Sequence, residues 1–312
     1  MKYVFLLLLL LSGCGAAGGG ADTCAFVRET TIPVTFIGNA PTVLVKLNGQ
    51  DVRLLFDTGA SATVILPPAF KRLGLATDST VHAFTTAVGG GGAVPVGLVS
   101  KMELGEVSKR SLNIFVVDMP PLAQGRIDGL LGNDILRDYD LDIDFAHNAV
   151  SLYRQRRCPQ GGPDWMAAPF HELQRPPEGR ALPPTMISLE VDGVRHNAVL
   201  DTGAAFTMMD RSRALASGAN AAALAEDHQG KVQGATSAST NVAVHEFNSV
   251  TIGTETIPKP KFLVSGKEDQ VGNTYYGMLL GADYIRKRRI WIAYSDFRIF
   301  AGVPAAGEAA LK

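Results

Sequence analysis

The chain has 312 residues, 46% of them hydrophobic and 19% charged, with 29 basic and 30 acidic side chains leaving a net charge of −1. That length gives room for two compact domains or one bilobal body, and the near-cancelled charge excludes the basic footprint of a nucleic-acid binder. The 33 glycines, spread between β-branched and aliphatic runs, point to a β-rich protein.

At the start of the chain, Lys2, the apolar run 4–11 and the small residues after it read as a targeting segment, too short to cross a bilayer as a helix. Leu11-Ser12-Gly13-Cys14 resembles the lipobox of bacterial lipoproteins. The resemblance implies a signal peptide over residues 1–13, lipidation of Cys14, and a protein anchored by lipid in the bacterial cell envelope, facing the periplasm. Gly15, where an aspartate resembles an inner-membrane retention signal, points to the outer membrane. A conventional secretory peptide cut elsewhere is the alternative. Residues 14–24 make a flexible tether. Cys24 and Cys158 are expected to pair in an oxidising compartment, two free thiols being the alternative.

The chain then writes one unit twice. Residues 43–47 alternate into the hairpin signal Asn48-Gly49, and 52–56 run into Asp57-Thr58-Gly59-Ala60; residues 186–191, Asp192-Gly193 and 198–200 lead in the same way into Asp201-Thr202-Gly203-Ala204. Downstream, Leu130-Leu131-Gly132 matches Leu279-Leu280-Gly281, a short helix is expected from near Asn133 and Ala282, and each copy closes with a strand pair over 141–153 and 290–300. The units span 25–154 and 185–302. Between them, 155–184 is a proline- and glycine-rich linker, which Trp165, Met166 and Phe170 are expected to dock onto a lobe. Residues 214–225 read as a helical insertion, and 303–312 as a frayed tail. Asp140, Asp142 and Asp144 alternate on a strand and read as a solvated face, lacking the glycine and closing glutamate of a calcium loop. The basic run 286–289 reads as a solvated turn or strand edge. The six histidines show no metal-ligand spacing, so neither metal nor cofactor is expected.

Two apolar-Asp-Thr-Gly-Ala stretches, each followed by apolar-apolar-Gly, resemble the aspartic proteases of the retropepsin/pepsin clan, both halves fused in one chain. The resemblance implies an all-β, bilobal fold of two pseudo-symmetric retropepsin-like β-barrel lobes with the active site between them. It implies an endopeptidase whose catalytic dyad is Asp57 and Asp201, with Thr58 and Thr202 cross-linking the two loops and Gly59 and Gly203 permitting their tight turns. The chemistry fits: two close carboxylates sharing one proton take a proton from water and give one to the carbonyl oxygen. Like charges at that distance resist joint ionisation. Ala60 and Ala204 stand where pepsin-like chains have a hydroxyl, which predicts activity at mildly acidic or neutral pH. Gly89, Gly90, Gly91 and Gly92 fall where a retropepsin-like flap would lie. The expected partner is an extended peptide or protein substrate, bound by a monomer whose lobes pair within the chain. A non-catalytic lipoprotein binding peptide or an envelope component on the same fold is the other reading.

Overall fold

The structure is a computed structural model, and it describes residues 24–78, 83–87, 90–124, 126–156, 158, 162–166, 169–177, 183–233, 239–266, 271 and 276–304. The expected signal peptide, Cys14 and the tether up to residue 23 lie outside the described residues, as do 305–312.

The two sequence units form two β lobes of like topology. In the first, strands Ala40–Leu47 and Gln50–Phe56 make a hairpin whose turn residues Asn48 and Gly49 are both left-handed, at φ 50° and 82°. Asp192 and Gly193 repeat that turn at 48° and 80°, as a two-residue hairpin with right-handed strand twist requires. The first lobe closes into a barrel of six strands, because Ala40–Leu47 pairs with Val96–Leu104 as well as with Gln50–Phe56. Its core is Val43, Val45, Leu54, Phe56, Ile65, Val99, Ile114 and Leu131, all on the inward side of their strands.

In the second lobe the counterparts of the two long hairpin strands are each broken in two. Ser239–Glu246 and Ser249–Ile252 stand for one, Glu255–Pro258 and Lys261–Ser265 for the other. Pro260 has no N–H for a ladder, and Lys259 before it is left-handed at φ 50°. The expected helical insertion is two helices, of which Arg211–Ala216 repeats the first lobe's Pro67–Arg72 and Ala221–Glu226 has no counterpart among the described residues of that lobe. Gly218, at φ 91°, ends the first, and the Asn220 side chain caps the second by accepting from Ala222 N–H.

A six-stranded antiparallel sheet joins the lobes, in the order Phe170–Leu173, Arg298–Gly302, Arg289–Ala293, Asp140–Asp144, Ala149–Arg156 and Ala25–Ile37. The linker contributes the first of these strands. Trp165, Met166 and Phe170 pack on Tyr153, Trp291 and Phe300, so the linker is seated on the seam. Gly302 pairs with Phe170, which carries regular structure to the edge of the expected tail.

The seam corrects two expectations. Asp140 and Asp142 are buried, not a solvated face. Asp140 accepts from the Ser295 N–H at 2.9 Å, and Asp142 takes a bidentate pair from Arg289 Nε and Nη2 at 2.8 and 2.7 Å. The basic run begins as the expected turn, with Arg286 exposed over Phe36 and donating to Asn39, but its end is not solvated: Arg288 is buried against Glu255 and Arg289 holds Asp142. Burying carboxylates at a lobe interface is tolerated only because each finds its donors across the seam.

Cys24 and Cys158 form a disulfide with their Cα atoms 4.3 Å apart. They lie just beyond the end of the ladder in which Ala25 pairs with Arg156, and the bridge closes a separation of 134 residues. Replacing both with serine is expected to lower the unfolding free energy by about 2–4 kcal/mol. Denaturant midpoints with a parallel thiol count test this; two reactive thiols in the unreduced protein would contradict it.

Candidate active site

Each aspartate is placed by the same local device. Gln50–Phe56 alternates Leu54 and Phe56 into the core and delivers Asp57 at its end. Gly129–Leu131 runs parallel beside it, and the Asp57 N–H donates to Leu131 O at 3.1 Å. Val194–Leu200 and Met278–Leu280 repeat the arrangement, with Asp201 N–H donating to Leu280 O at 3.0 Å. The glycines after these partner strands are needed for close approach: a Cβ on Gly132 would meet the Ala62 backbone at 2.6 Å, and one on Gly281 the Phe206 backbone at 2.6 Å.

The two loops meet across the lobe interface. Asp57 Oδ1 accepts from the N–H groups of Gly59 and Ala60, both at 2.9 Å; Asp201 Oδ1 accepts from Gly203 and Ala204 at 2.8 and 3.1 Å. A Cβ on Gly59 would lie 2.4 Å from Asp201 Cγ, and one on Gly203 2.5 Å from Asp57 Oδ2. Each glycine therefore leaves the space that the opposite carboxyl fills.

Beneath the carboxyls the buried threonines cross. Thr58 Oγ1 donates to Leu200 O at 2.7 Å and accepts from the Thr202 N–H at 3.1 Å. Thr202 Oγ1 donates to Phe56 O at 2.6 Å and accepts from the Thr58 N–H at 3.0 Å. Four hydrogen bonds thus bind the lobes at the base of the site.

Burial is the main electrostatic force on the pair. It pushes the Asp57 carboxyl well above the ordinary carboxylate range, the Asp201 charge adding to the shift and the Ala60 and Gly59 N–H groups opposing it. Burial raises Asp201 too, against the Gly203 and Ala204 N–H groups. Asp57 and Asp201 as whole residues are partly exposed, while their carboxyls sit deep between the lobes. Such a pair titrates as a unit.

Of the flap glycines, Gly90, Gly91 and Gly92 lie in the strand Gly90–Val94, which pairs with Ala83–Ala87; Gly89 lies outside the described residues. Among the described residues no three His, Cys, Asp or Glu side chains gather as metal ligands. His171 and His196 are buried, each with a ring nitrogen that finds no partner among the described residues.

Several supporting residues escaped the sequence reading. Thr63 N–H and Oγ1 donate to Asp134 at 2.8 and 2.7 Å, and Thr207 N–H and Oγ1 donate to Asp283 at 3.0 and 2.8 Å, clamping each aspartate loop to the helix behind it. Their signal was present, since a threonine six residues after each aspartate and an aspartate two after each glycine recur in both copies. Tyr276 had no such signal. It packs against the buried cluster of Met186, Val199, Val271 and Leu279, and burial, then the charges of Asp201 and Asp210, raises its phenol.

Thr58→Val keeps the shape of the crossing but strands the Thr202 N–H and the Leu200 carbonyl without water. The expected loss is about 2–3 kcal/mol of stability, read as a lowered denaturant midpoint; a change below about 0.5 kcal/mol, the range of a neutral surface substitution, would contradict the crossing's role.

The aspartyl protease family model matches the chain at residues 43–135 and again at 187–284, each match containing one Asp-Thr-Gly loop and the Leu-Leu-Gly strand beside it. No curated protein sequence matches the chain. With more than half its length matched and the two loops brought together at one interface, the chain belongs to the aspartyl protease family.

Proposed function

We propose that the protein is an aspartic endopeptidase that hydrolyses peptide bonds with water activated between Asp57 and Asp201. The observation that carries this reading is the reciprocal fit in which each loop glycine faces the opposite carboxyl, because it brings both acids to one point. One carboxylate takes a proton from water as the water oxygen bonds to the scissile carbonyl carbon, while the other, protonated, gives its proton to the carbonyl oxygen. The C–N bond then breaks. The first carboxyl passes its proton to the leaving nitrogen and the diol returns one to the second, restoring a singly protonated pair.

Apolar layers flank the dyad loops on both sides. Ala60, Phe115, Val117 and Leu122 lie partly exposed against one buried apolar cluster, and Ala204, Met208 and Tyr276 against another. They favour an extended peptide with apolar side chains near the scissile bond, lying as an added strand. The same reading has the enzyme exported and lipid-anchored through Cys14, facing the periplasm from the outer membrane, and acting as a monomer; the Leu11-Ser12-Gly13-Cys14 motif supports the anchor.

Digestion of a diverse peptide library from about pH 3 to 8 tests the reading. Asp201→Asn is expected to lower kcat/KM by about 10³-fold or more, within the range general acid–base groups supply. A folded wild-type protein that cleaves nothing would sink it.

Because burial raises the dyad, the acid limb of kcat/KM should lie above the ordinary aspartate value of about 3.9. Ala60→Ser, which offers a hydroxyl donor beside Asp57, should move that limb to lower pH. A wild-type optimum below about pH 3 would contradict this account.

The sign for stability is the reverse of a salt-bridged acid. A native carboxyl that keeps its proton to higher pH than the unfolded chain adds most stability below the unfolded value, and that contribution is lost as pH rises through the native one. Asp57→Asn, a neutral mimic of the protonated form, should therefore raise Tm at neutral pH by a few degrees and leave it unchanged near pH 3. Calorimetry at both pH values checks it; a lower Tm at pH 7 would refute the assignment.

A further inference from the structure

The pseudo-symmetry of the site fails behind the aspartate loops. Behind the Asp57 loop stands Asn133, buried, whose Nδ2 donates to Thr58 O at 2.7 Å and whose backbone N–H donates to Ala60 O at 2.9 Å. The Tyr294 hydroxyl, from the end of a second-lobe strand, donates to Asn133 Oδ1. Thr185 Oγ1 adds a second donor to Thr58 O at 3.0 Å. At the equivalent place behind Asp201 stands Ala282, which keeps the backbone bond to Ala204 O at 2.8 Å but has no amide to offer.

The Thr58 carbonyl belongs to the same peptide unit as the Gly59 N–H, which donates to Asp57 Oδ1. Donors on a peptide oxygen polarise its N–H, and chained hydrogen bonds strengthen one another. We propose that Tyr294 and Asn133 are positioning residues that act through the Thr58–Gly59 peptide to hold and polarise the amide anchoring Asp57, making the two aspartates inequivalent. The relay runs from the Tyr294 hydroxyl through the Asn133 amide and that peptide to the carboxylate. It crosses from one lobe to the other, so the donor strength felt by Asp57 depends on correct lobe docking.

The charged groups around it are few. Asp201 faces Asp57 from the opposing loop, and the Asp57 charge reaches the Tyr294 phenol, which burial raises above its ordinary value. Asp134, next to Asn133, is committed to Thr63, and Asp140 is committed to Ser295 beside Tyr294.

This inference rests on the protease reading for its kinetic arm only. The test compares wild type, Tyr294→Phe, Asn133→Ala and the double variant. Tyr294→Phe deletes one oxygen and keeps the ring's packing; Thr185→Val, which removes the other donor to the same carbonyl, is the second route should Asn133→Ala not fold. The dyad is titrated through the carboxyl carbons of labelled aspartate, which needs no substrate. The sum of the two apparent pKa values should rise by about half a unit in Tyr294→Phe, with kcat falling about tenfold and KM held. In the double variant Tyr294→Phe should add nothing to Asn133→Ala. An unchanged titration, or losses that simply add, would overturn the relay. If wild type titrates as a coupled pair yet hydrolyses nothing, the protease reading fails and the titration still decides the relay.

Discussion

Two carboxyls held face to face in a buried interface are the constraint on which the rest of this structure depends. Burial and mutual repulsion both disfavour charge there, and neither aspartate would stay without support. The support is backbone: two N–H groups fix one oxygen of each carboxyl. The loops presenting those N–H groups are in turn tied by four buried hydrogen bonds between Thr58 and Thr202 and the strands that precede them. Raised pKa values and rigid loops are two faces of one arrangement, a costly electrostatic pair kept in place by satisfied backbone.

That requirement propagates outward. Loops that must meet within hydrogen-bonding distance need lobes that dock in one register, and the six-stranded seam supplies it. Asp142 and Arg289 make a bidentate pair within it, and the linker strand Phe170–Leu173 closes its edge under Trp165. The disulfide pins the far end of the same sheet. The seam is thus the frame that sets the spacing of the dyad.

Duplication made much of this legible in sequence. Equal spacing from turn glycine to aspartate, and the recurrence of Leu-Leu-Gly, identified both loops and the strands beside them. Reading failed where a residue's meaning lies in a partner far along the chain. Asp140 and Asp142 alternate like surface residues, and nothing local announces Ser295 or Arg289 some 150 residues away. It failed also where the copies differ. Asn133, Tyr294 and Tyr276 have no like residue in the other unit, so repetition could not flag them, although they stand just behind or beside the dyad loops. The breaks at Gly218 and Pro260 carried local signals, and there a residue-level reading of turn chemistry would have divided the helix and the strands.

The central claim is that two imperfect halves of one chain make a single complete site. Isothermal titration of the purified chain with a peptide inhibitor bearing a tetrahedral hydroxyl in place of the scissile bond tests it most directly. The account predicts one inhibitor per chain, with affinity weakened by replacing either Asp57 or Asp201 with asparagine. Binding of one inhibitor per two chains, or none by a folded protein, would contradict it.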